Sequence, residues 1–435
     1  MFGKSIIFTY ANKLTLFIAG FLYTYLIANY LGPSDYGLVS YYMAFITSII
    51  NVGGIYFLQS LYNVFVPRSK SKSFFMKVLR WQYYLAGIFF IFVFVLSERI
   101  AVFLNKDEFL FLRWAALLLL LLPLHDSFVF LFRGFKLFGK ILKEEIVVSF
   151  ANICLAFLFV VSLSYGIYGV VYARILSVIL GILVFALFFK RLDFKNRVVS
   201  MIEVKSYSYS AFMASLFRGL TDFSFTIFLG MFISTGVLGL YYIAQKLVGY
   251  IVSSFQSSII EAIIPFVAED YNDKNFLNKY LSYSLKLTLI LSISAIILLI
   301  LIGKPMLALF LPKYVDAYDI LVLYSIFVFF SSFNVLQSAF MTLNRMTLFA
   351  RICFYDLVLV IIFSLVLMPV YGIYGALFSL ILMGIAHIAL LLHYLKEIGL
   401  NVDFIIRVDD VKYFYGLFRA SLARNPSAFK RKNEL

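Results

Sequence analysis

The stretch SYGIYGVVYARILSVILGILVF at residues 164–185 recurs as VYGIYGALFSLILMGIAHIALL at residues 370–391, so the chain repeats one apolar segment. Both copies open on the pentapeptide YGIYG and continue with a run long enough to cross a bilayer. A second likeness has nearly the same offset, because YGLVSYYMA from Tyr36 resembles LGLYYIAQK from Leu238. These paired stretches predict a membrane protein made of two related halves.

The composition of the chain is that of a protein dissolved in lipid. Of its 435 residues, 63% are apolar and 14% are charged, whereas roughly a quarter of the residues in an average soluble domain are charged. The net charge of +15 comes from Lys and Arg that lie in the breaks between apolar runs. We therefore interpret this charge as a signal for orientation in a membrane, and we expect no nucleic acid partner.

About twelve apolar runs are long enough to span a bilayer. They lie at residues 5–28, 37–62, 80–98, 109–132, 143–164, 167–189, 206–232, 237–263, 281–302, 318–343, 347–368 and 372–394. An even number of spans in each repeat gives both halves the same direction, so we expect an axis along the membrane normal to relate them. The sequence predicts an all-α polytopic membrane protein with six-helix bundles at residues 1–200 and 201–395. A basic amphipathic tail at residues 396–435 follows, and we expect it to lie on the inner leaflet.

Basic residues occur in every second connection between the runs. They are Lys4, Arg68, Lys70, Lys72, Lys77, Arg80, Arg133, Lys136, Lys140, Lys143, Lys190, Arg191, Lys195, Arg197 and Lys205. Several of the connections between them, such as 29–36, 164–168, 234–236 and 369–372, contain no Lys or Arg. Because cytoplasmic loops carry the excess of Lys and Arg, both termini are predicted to be cytoplasmic.

We single out four cations inside predicted spans, where a charged side chain costs roughly 2.5–3.5 kcal/mol. They are Lys13 in the first span, Arg174 in the sixth, Arg218 in the seventh and Lys246 in the eighth. A central cavity lined by cations from both halves would suit an anionic headgroup such as a diphosphate. We therefore predict that these four residues bind the substrate.

Two of these cations also fit a purely structural role. Asp222 follows Arg218 by one helical turn, so the two side chains could simply neutralise each other. Arg174 is close enough to the outer surface to extend its charge into water.

Further polar residues inside the spans are candidates for ion coupling or for the lining of the cavity. They are Asp222, His125, Asp126 and Asn12, together with the buried carboxylate candidates Asp356 and Glu261. His125 and Asp126 follow Pro123, where freed backbone groups and a polar pair could relay protons. Structural hydrogen bonds between helices are the alternative for each of them.

Signals for catalysis are scarce in this sequence. The chain has three His, and we find no glycine-rich phosphate loop and no spacing typical of a metal site. We predict that the chain is not an enzyme and that it needs no metal or other cofactor.

The first turn carries the most specific family signal. The segment LIANYLGPSDYGLVSYYMAF at residues 26–45 resembles the "LGP, two residues, YG" signature of polysaccharide biosynthesis flippases of the Wzx/RfbX type. The paired YGIYG turns and the even spacing of the spans extend this resemblance over roughly residues 1–395.

This resemblance implies the multidrug/oligosaccharidyl-lipid/polysaccharide (MOP) exporter superfamily. Its members are two six-helix bundles forming a V that opens alternately to either side. The implied cargo is an undecaprenyl-diphosphate-linked oligosaccharide, moved across the inner membrane for surface polysaccharide such as O-antigen. The implied partners are membrane lipids and other polysaccharide assembly proteins.

The coupling ion and the cargo class remain open at this point. The first-helix acidic residue of some drug exporters has no counterpart here, so the sequence is compatible with coupling to H⁺, to Na⁺ or to no ion. One alternative function is a MATE-like drug/cation antiporter, which should prefer carboxylates to cations in its cavity. Another is a membrane-embedded glycosyltransferase or polymerase, which would need a sizeable outward loop with paired carboxylates or His.

Overall fold

The computed structural model describes residues 2–53, 61–62, 65–66, 70–106, 108–135, 137–195, 201–253, 256, 274–343, 345–407 and 409–410. Side chains are described for these residues except at 2–14, 201–208, 274–276 and 341–342. Among these residues the regular structure is entirely helical, and no strand is found. The predicted all-α class is therefore confirmed.

Each predicted span coincides with a helix over its described part. The helices are α1 Phe2–Leu31, α2 Pro33–Val52, α3 Lys72–Phe103, α4 Phe109–Gly134, α5 Phe138–Ser162, α6 Gly166–Phe189, α7 Met201–Phe232, α8 Thr235–Val248, α9 Lys274–Phe310, α10 Ala317–Phe330, and α11 and α12 within Met346–Glu397. The last stretch holds two helices because its backbone breaks at Gly372. Nine of the described helical stretches are long and apolar enough to cross a membrane, and Thr15–Leu31 is a shorter apolar one.

The two YGIYG repeats form the same turn in both halves. Gly166 and Gly372 both have a positive φ, 54° and 57°, which favours glycine. The second glycine of each repeat, Gly169 or Gly375, lies against the backbone of the preceding helix, where an added Cβ would collide with it. The repeat in the sequence thus encodes a tight connection into α6 and α12.

The helices alternate in direction, so the molecule has two ends. We call one the turn end, marked by short connections at Gly32, Leu104, Ser164, Ser234, Tyr314 and Gly372. The other is the basic end, which includes Lys70, Arg133, Lys190 and Arg345. This separation follows the alternation of basic and non-basic connections in the sequence.

The halves touch at the turn end through the first turns of α2 and α8. A Cβ on Gly37 would collide with the carbonyl oxygen of Thr235, and one on Gly239 would collide with that of Pro33. The hydroxyl groups of Ser34 and Thr235 are 2.9 Å apart. The two glycines are equivalent in the repeat, so the contact is close to symmetric.

Helices extend beyond the predicted runs at the basic end. Helix α3 starts at Lys72, where the Ser71 hydroxyl accepts a hydrogen bond from the Phe74 amide. Lys77 and Arg80, predicted to lie in a connection, therefore lie within a helix of 32 residues. Such a helix is about 48 Å long, more than the roughly 30 Å of hydrocarbon, so its basic turns lie beyond the apolar layer.

The first part of the predicted tail packs against α9. The backbone amides of Asn401 and Asp403 donate to the side chains of Asn278 and Ser282. The Lys286 ammonium donates to Asp403 at 2.8 Å and to Asp410 at 3.1 Å. Residues 411–435, which hold most of the predicted basic tail, are outside the described part of the chain.

Candidate functional site

A pair of cations from opposite halves lies between the bundles. Lys246 on α8 places its ammonium 5.0 Å from the centre of the Tyr36 ring on α2. Lys246 interacts electrostatically with Arg174 on α6 and with Tyr250, and no carboxylate is among its partners in the described chain. Lys246 thus has a second cation, and no anion, among its described electrostatic partners.

Polar groups of α1 surround this pair. The Tyr250 hydroxyl is 3.1 Å from the Thr24 hydroxyl and donates to the Gly20 carbonyl. Tyr23, also on α1, interacts electrostatically with Arg174. Arg174 therefore faces the interior of the molecule and other polar groups.

Arg218 lines a different cavity, inside the second half. This cavity has a volume of about 150 Å³, and Asp222, Asn334, Asp356 and His387 also line it. The Asp222 carboxylate accepts a hydrogen bond from the Asn51 amide at 3.3 Å. Arg218 influences Asp222 electrostatically, but the two do not form an ion pair among the described contacts.

His387 and Asp356 form a close pair on α12 and α11. The His387 Nδ1 atom is 2.7 Å from the Asp356 Oδ2 atom. The remaining polar atoms, Nε2 of His387 and Oδ1 of Asp356, are buried and lack a hydrogen-bond partner. One charge or one shared proton can be accommodated here without any other residue.

A second histidine cluster lies in the first half. His125 on α4 places Nε2 2.8 Å from Glu144 on α5, and Nδ1 3.2 Å from Asp126. Gln82 holds the adjacent turn of α4, because its amide donates to the carbonyl of Pro123. Within the described residues, no group of three or more His, Cys, Asp or Glu is arranged to hold a metal ion.

The structure brings together some of the predicted residues and separates others. Lys246 and Arg174 lie near each other, His125 contacts Asp126, and Arg218 shares a cavity with Asp222. Lys13 and Asn12 lie in α1, but their side chains are outside the described residues, and so is Glu261. The roles of these residues in binding stay predictions.

Two polar residues of these clusters were missed from the sequence. Glu144 lies at the edge of the predicted fifth run, where a carboxylate is expected at the interface, yet α5 begins at Phe138 and buries it completely. His387 lies inside an apolar run, and its pairing with Asp356 depends on how α11 packs against α12. The only feature of the sequence that could have identified Glu144 and His387 is that each is a titratable residue within a predicted span.

Residues 2–270 match the family model described as polysaccharide biosynthesis protein. The chain belongs to this family. The match covers more than half of the chain, and it includes the "LGP, two residues, YG" turn from which we inferred the relationship. The predicted family is therefore confirmed. No sequence match is found among curated proteins.

Solved structures with the same fold are members of the MOP superfamily and a lipid flippase. An inward closed form of the lipid II flippase MurJ has a TM-score of 0.70 at 17% identity, covering 97% of this chain and 93% of the other. An inward-facing multidrug resistance MATE transporter has a TM-score of 0.69 at 14% identity, and the match covers 91% of this chain and 98% of that transporter. A MOP superfamily transporter from Pyrococcus furiosus has a TM-score of 0.66 at 15% sequence identity, and the match covers 92% of this chain and 96% of that transporter. These similarities confirm the predicted MATE/MOP-like fold.

Family and fold together make this chain a multi-pass membrane protein of the polysaccharide biosynthesis family. The cargo, the membrane and the residues that bind the cargo are matters for proposal.

Proposed function

We propose that the protein is a flippase that moves polyprenyl-diphosphate-linked oligosaccharide across the inner membrane for surface polysaccharide assembly. The headgroup enters the polar space between the halves while the polyprenyl chain stays in lipid. An undecaprenyl carrier is the form that we infer. Membrane lipids and other polysaccharide assembly proteins are the proposed partners.

The observation that carries this proposal is the pairing of Lys246 with Arg174 across the two halves. Two cations near each other in apolar surroundings are unfavourable without an anion. Lys246 has no carboxylate among its described electrostatic partners, so a diphosphate supplies the missing charge and accepts hydrogen bonds from both side chains. Tyr23, Thr24 and Tyr250 offer hydroxyl groups beside it for the adjoining sugar.

We propose alternating access as the mechanism of movement. The described contacts between the halves include several at the turn end, where Lys106 donates to the Ile233 carbonyl and Lys313 to the Asn29 carbonyl. Breaking these contacts would let the halves rock apart there and expose the headgroup to the other side. With the basic end cytoplasmic, as the Lys and Arg distribution favours, the turn end faces outward and both termini lie inside.

A flipping assay in proteoliposomes tests the proposal. The probe is a fluorescent disaccharide on a short polyprenyl diphosphate, and the measurement is the rate at which the probe becomes accessible to an external quencher. Each charge-assisted contact is worth about 1.5–3 kcal/mol, so Lys246→Gln and Arg174→Gln should each lower the rate roughly ten- to a hundredfold.

Exposed basic neighbours provide matched controls for both substitutions. Lys190→Gln and Arg191→Gln remove the same charges at the basic end, where both residues are exposed, and should leave the rate unchanged. A native chain that moves no probe contradicts the proposed cargo. Normal rates for both Lys246→Gln and Arg174→Gln contradict the proposed site.

One observation favours a drug/cation antiporter as the second candidate. Asp222 and Asp356 line the cavity in the second half, and carboxylates suit a cationic cargo. Each carboxylate already has a polar partner, Asn51 or His387, whereas Lys246 has none of opposite charge among the described residues. Uptake of a lipophilic cationic dye against a proton gradient, abolished by Asp222→Asn, would support this candidate instead.

A further inference from the structure

Glu144 is a buried carboxylate that is only half satisfied. Its side chain has 0% exposure, and its Oε1 atom is 2.8 Å from Nε2 of His125. Its other oxygen, Oε2, is buried and has no hydrogen-bond partner. Burying an ionised carboxylate in this way costs several kcal/mol unless a proton or a cation is close. The site therefore has a strong demand for one positive charge.

The three side chains of the cluster become progressively more buried toward this carboxylate. The exposed fraction falls from 39% at Asp126 to 15% at His125 and 0% at Glu144. The His125 ring joins its neighbours through its two nitrogen atoms, Nδ1 toward Asp126 and Nε2 toward Glu144. An imidazole with one acid at each nitrogen can take up a proton on one side and release one on the other.

The surrounding helices fit a proton better than a larger ion. A Cβ on Gly181 of α6 would lie 2.5 Å from Glu144 Oε1 and 3.1 Å from the His125 ring, so α6 closes over the pair. The Phe185 ring is 5.7 Å from the His125 ring. No arrangement of ligands suitable for a metal ion is found in the described chain.

We propose that Glu144 and His125 form a proton-binding site that is loaded through Asp126. A proton passes from Asp126 to Nδ1 of a neutral His125 ring, while the proton on Nε2 moves to Oε1 of Glu144. The ring ends neutral, Asp126 ends ionised, and the net result is one proton on Glu144.

Other charged groups connect this site to the cation pair. Glu145 on α5 interacts electrostatically with Glu144, His125 and Asp126 and also with Arg174. Helix α1 packs against α5 as well, and its Lys13 side chain is outside the described residues. Adding a proton at Glu144 makes the cluster less negative, which leaves Arg174 more available to an anionic headgroup. Proton and anion should then favour each other's binding, because such coupling is reciprocal. This step rests on the proposed function, whereas the proton site does not.

Infrared difference spectroscopy of the full-length protein in lipid nanodiscs tests the proton site without any cargo. The measurement is the carbonyl stretch of a protonated carboxyl group, followed over a range from alkaline to acidic pH. The native protein should gain this band on acidification. Glu144→Gln should lose it, while the exposed carboxyl control Glu98→Gln should retain it.

Two variants keep Glu144 in place in case Glu144→Gln fails to fold. With His125→Gln the band should no longer respond to pH in this range, because a buried carboxyl without the imidazole stays neutral. Gly181→Ala should alter the titration by separating the pair, while Gly87→Ala, where a Cβ meets open space, should not. A pH-dependent band that persists unchanged in Glu144→Gln, or in both other variants, overturns the site. Its absence from the native protein does the same, and neither result depends on whether the probe lipid is flipped.

Discussion

Three lysines of this chain meet three different kinds of partner. Lys286 is held by the carboxylates of Asp403 and Asp410. Lys106 donates to a backbone carbonyl and lies 5.9 Å from the Tyr41 ring. Lys246 faces a ring and a second cation, with no carboxylate among its described electrostatic partners. The interaction partners of each lysine, more than its position in the membrane, therefore indicate which lysine would bind an external anion.

The Lys286 contact predicts a pH-dependent attachment of the segment after α12. The Lys286 ammonium, which donates to Asp403, lowers the pKa of that carboxyl below its usual range. In the unfolded chain the pKa of an aspartate is about 3.9. Because the folded state lowers this pKa, the ion pair stabilises the fold at pH values above about 3.9, and this stabilisation is lost as the pH falls through the folded pKa. Asp403→Asn should therefore lower the unfolding temperature at neutral pH.

The size of this effect is limited by solvent, because the Asp403 side chain is 41% exposed. A partly exposed ion pair contributes no more than about 1 kcal/mol, so we expect a decrease of up to about 2 °C. The unfolding temperatures of the native chain and of Asp403→Asn should converge as the pH falls below the folded pKa of Asp403, which lies under about 3.9. The exposed neighbour Asp409→Asn serves as the control. A difference that persists unchanged in acid would contradict this assignment.

Candidate residues could be recognised from the sequence only where a charged or titratable side chain falls inside an apolar run and is therefore unexpected in lipid. Lys246 and Arg174 stand out because hydrocarbon does not tolerate charge, but their proximity depends on how the two halves pack together. Glu144 did not stand out, because two consecutive carboxylates at the edge of an apolar run look interfacial. Pairings across helices, such as His387 with Asp356, require the packing itself.

At the scale of helices, the crossing of α2 and α8 predicts a matched pair of destabilising substitutions. Alanine at Gly37 or Gly239 places a methyl group against a backbone carbonyl that cannot move aside easily. Overpacking of this kind costs about 1–3 kcal/mol, so both variants should lower the unfolding temperature by similar amounts. Gly236→Ala, on the same helix and facing open space, should cause no loss. Unequal effects would contradict the near-symmetric crossing.

The helices themselves were largely predictable, because lipid requires every backbone polar group to be satisfied within the helix. Their ends were less so. Helix α3 begins at Lys72 and not near residue 80, since hydropathy marks the hydrocarbon boundary and a helix continues through the headgroup layer. The YGIYG repeat predicted related turns correctly, because the positive φ at Gly166 and Gly372 favours glycine.

At the scale of the whole molecule, two lysines connect the halves in a symmetric way. Lys106 of the first half donates to the Ile233 carbonyl at 3.2 Å, just after the end of α7. Lys313 of the second half donates to the Asn29 carbonyl at 2.9 Å, in the last turn of α1. Each lysine thus caps the first helix of the opposite half, where the helix dipole is negative. Both contacts join the two halves at the turn end.

Removing both lysine contacts should shift the molecule toward an open turn end. A hydrogen bond from a charged donor contributes about 1.5–3 kcal/mol when it is shielded from water and less when it is exposed. The double variant Lys106→Gln and Lys313→Gln should therefore lower the ratio of molecules with a closed turn end to those with an open one by at least about tenfold. Spin labels at Asp35 and Ser234, both exposed, with Cys154 and Cys353 replaced by Ala, report the distance across this end. The distance distribution should move to longer values in the double variant and remain unchanged in Lys304→Gln, an exposed lysine near the same end. An identical distribution in the double variant would mean that the packing of α2 against α8 alone holds the halves together, and rocking would then have to begin by separating Gly37 from Gly239.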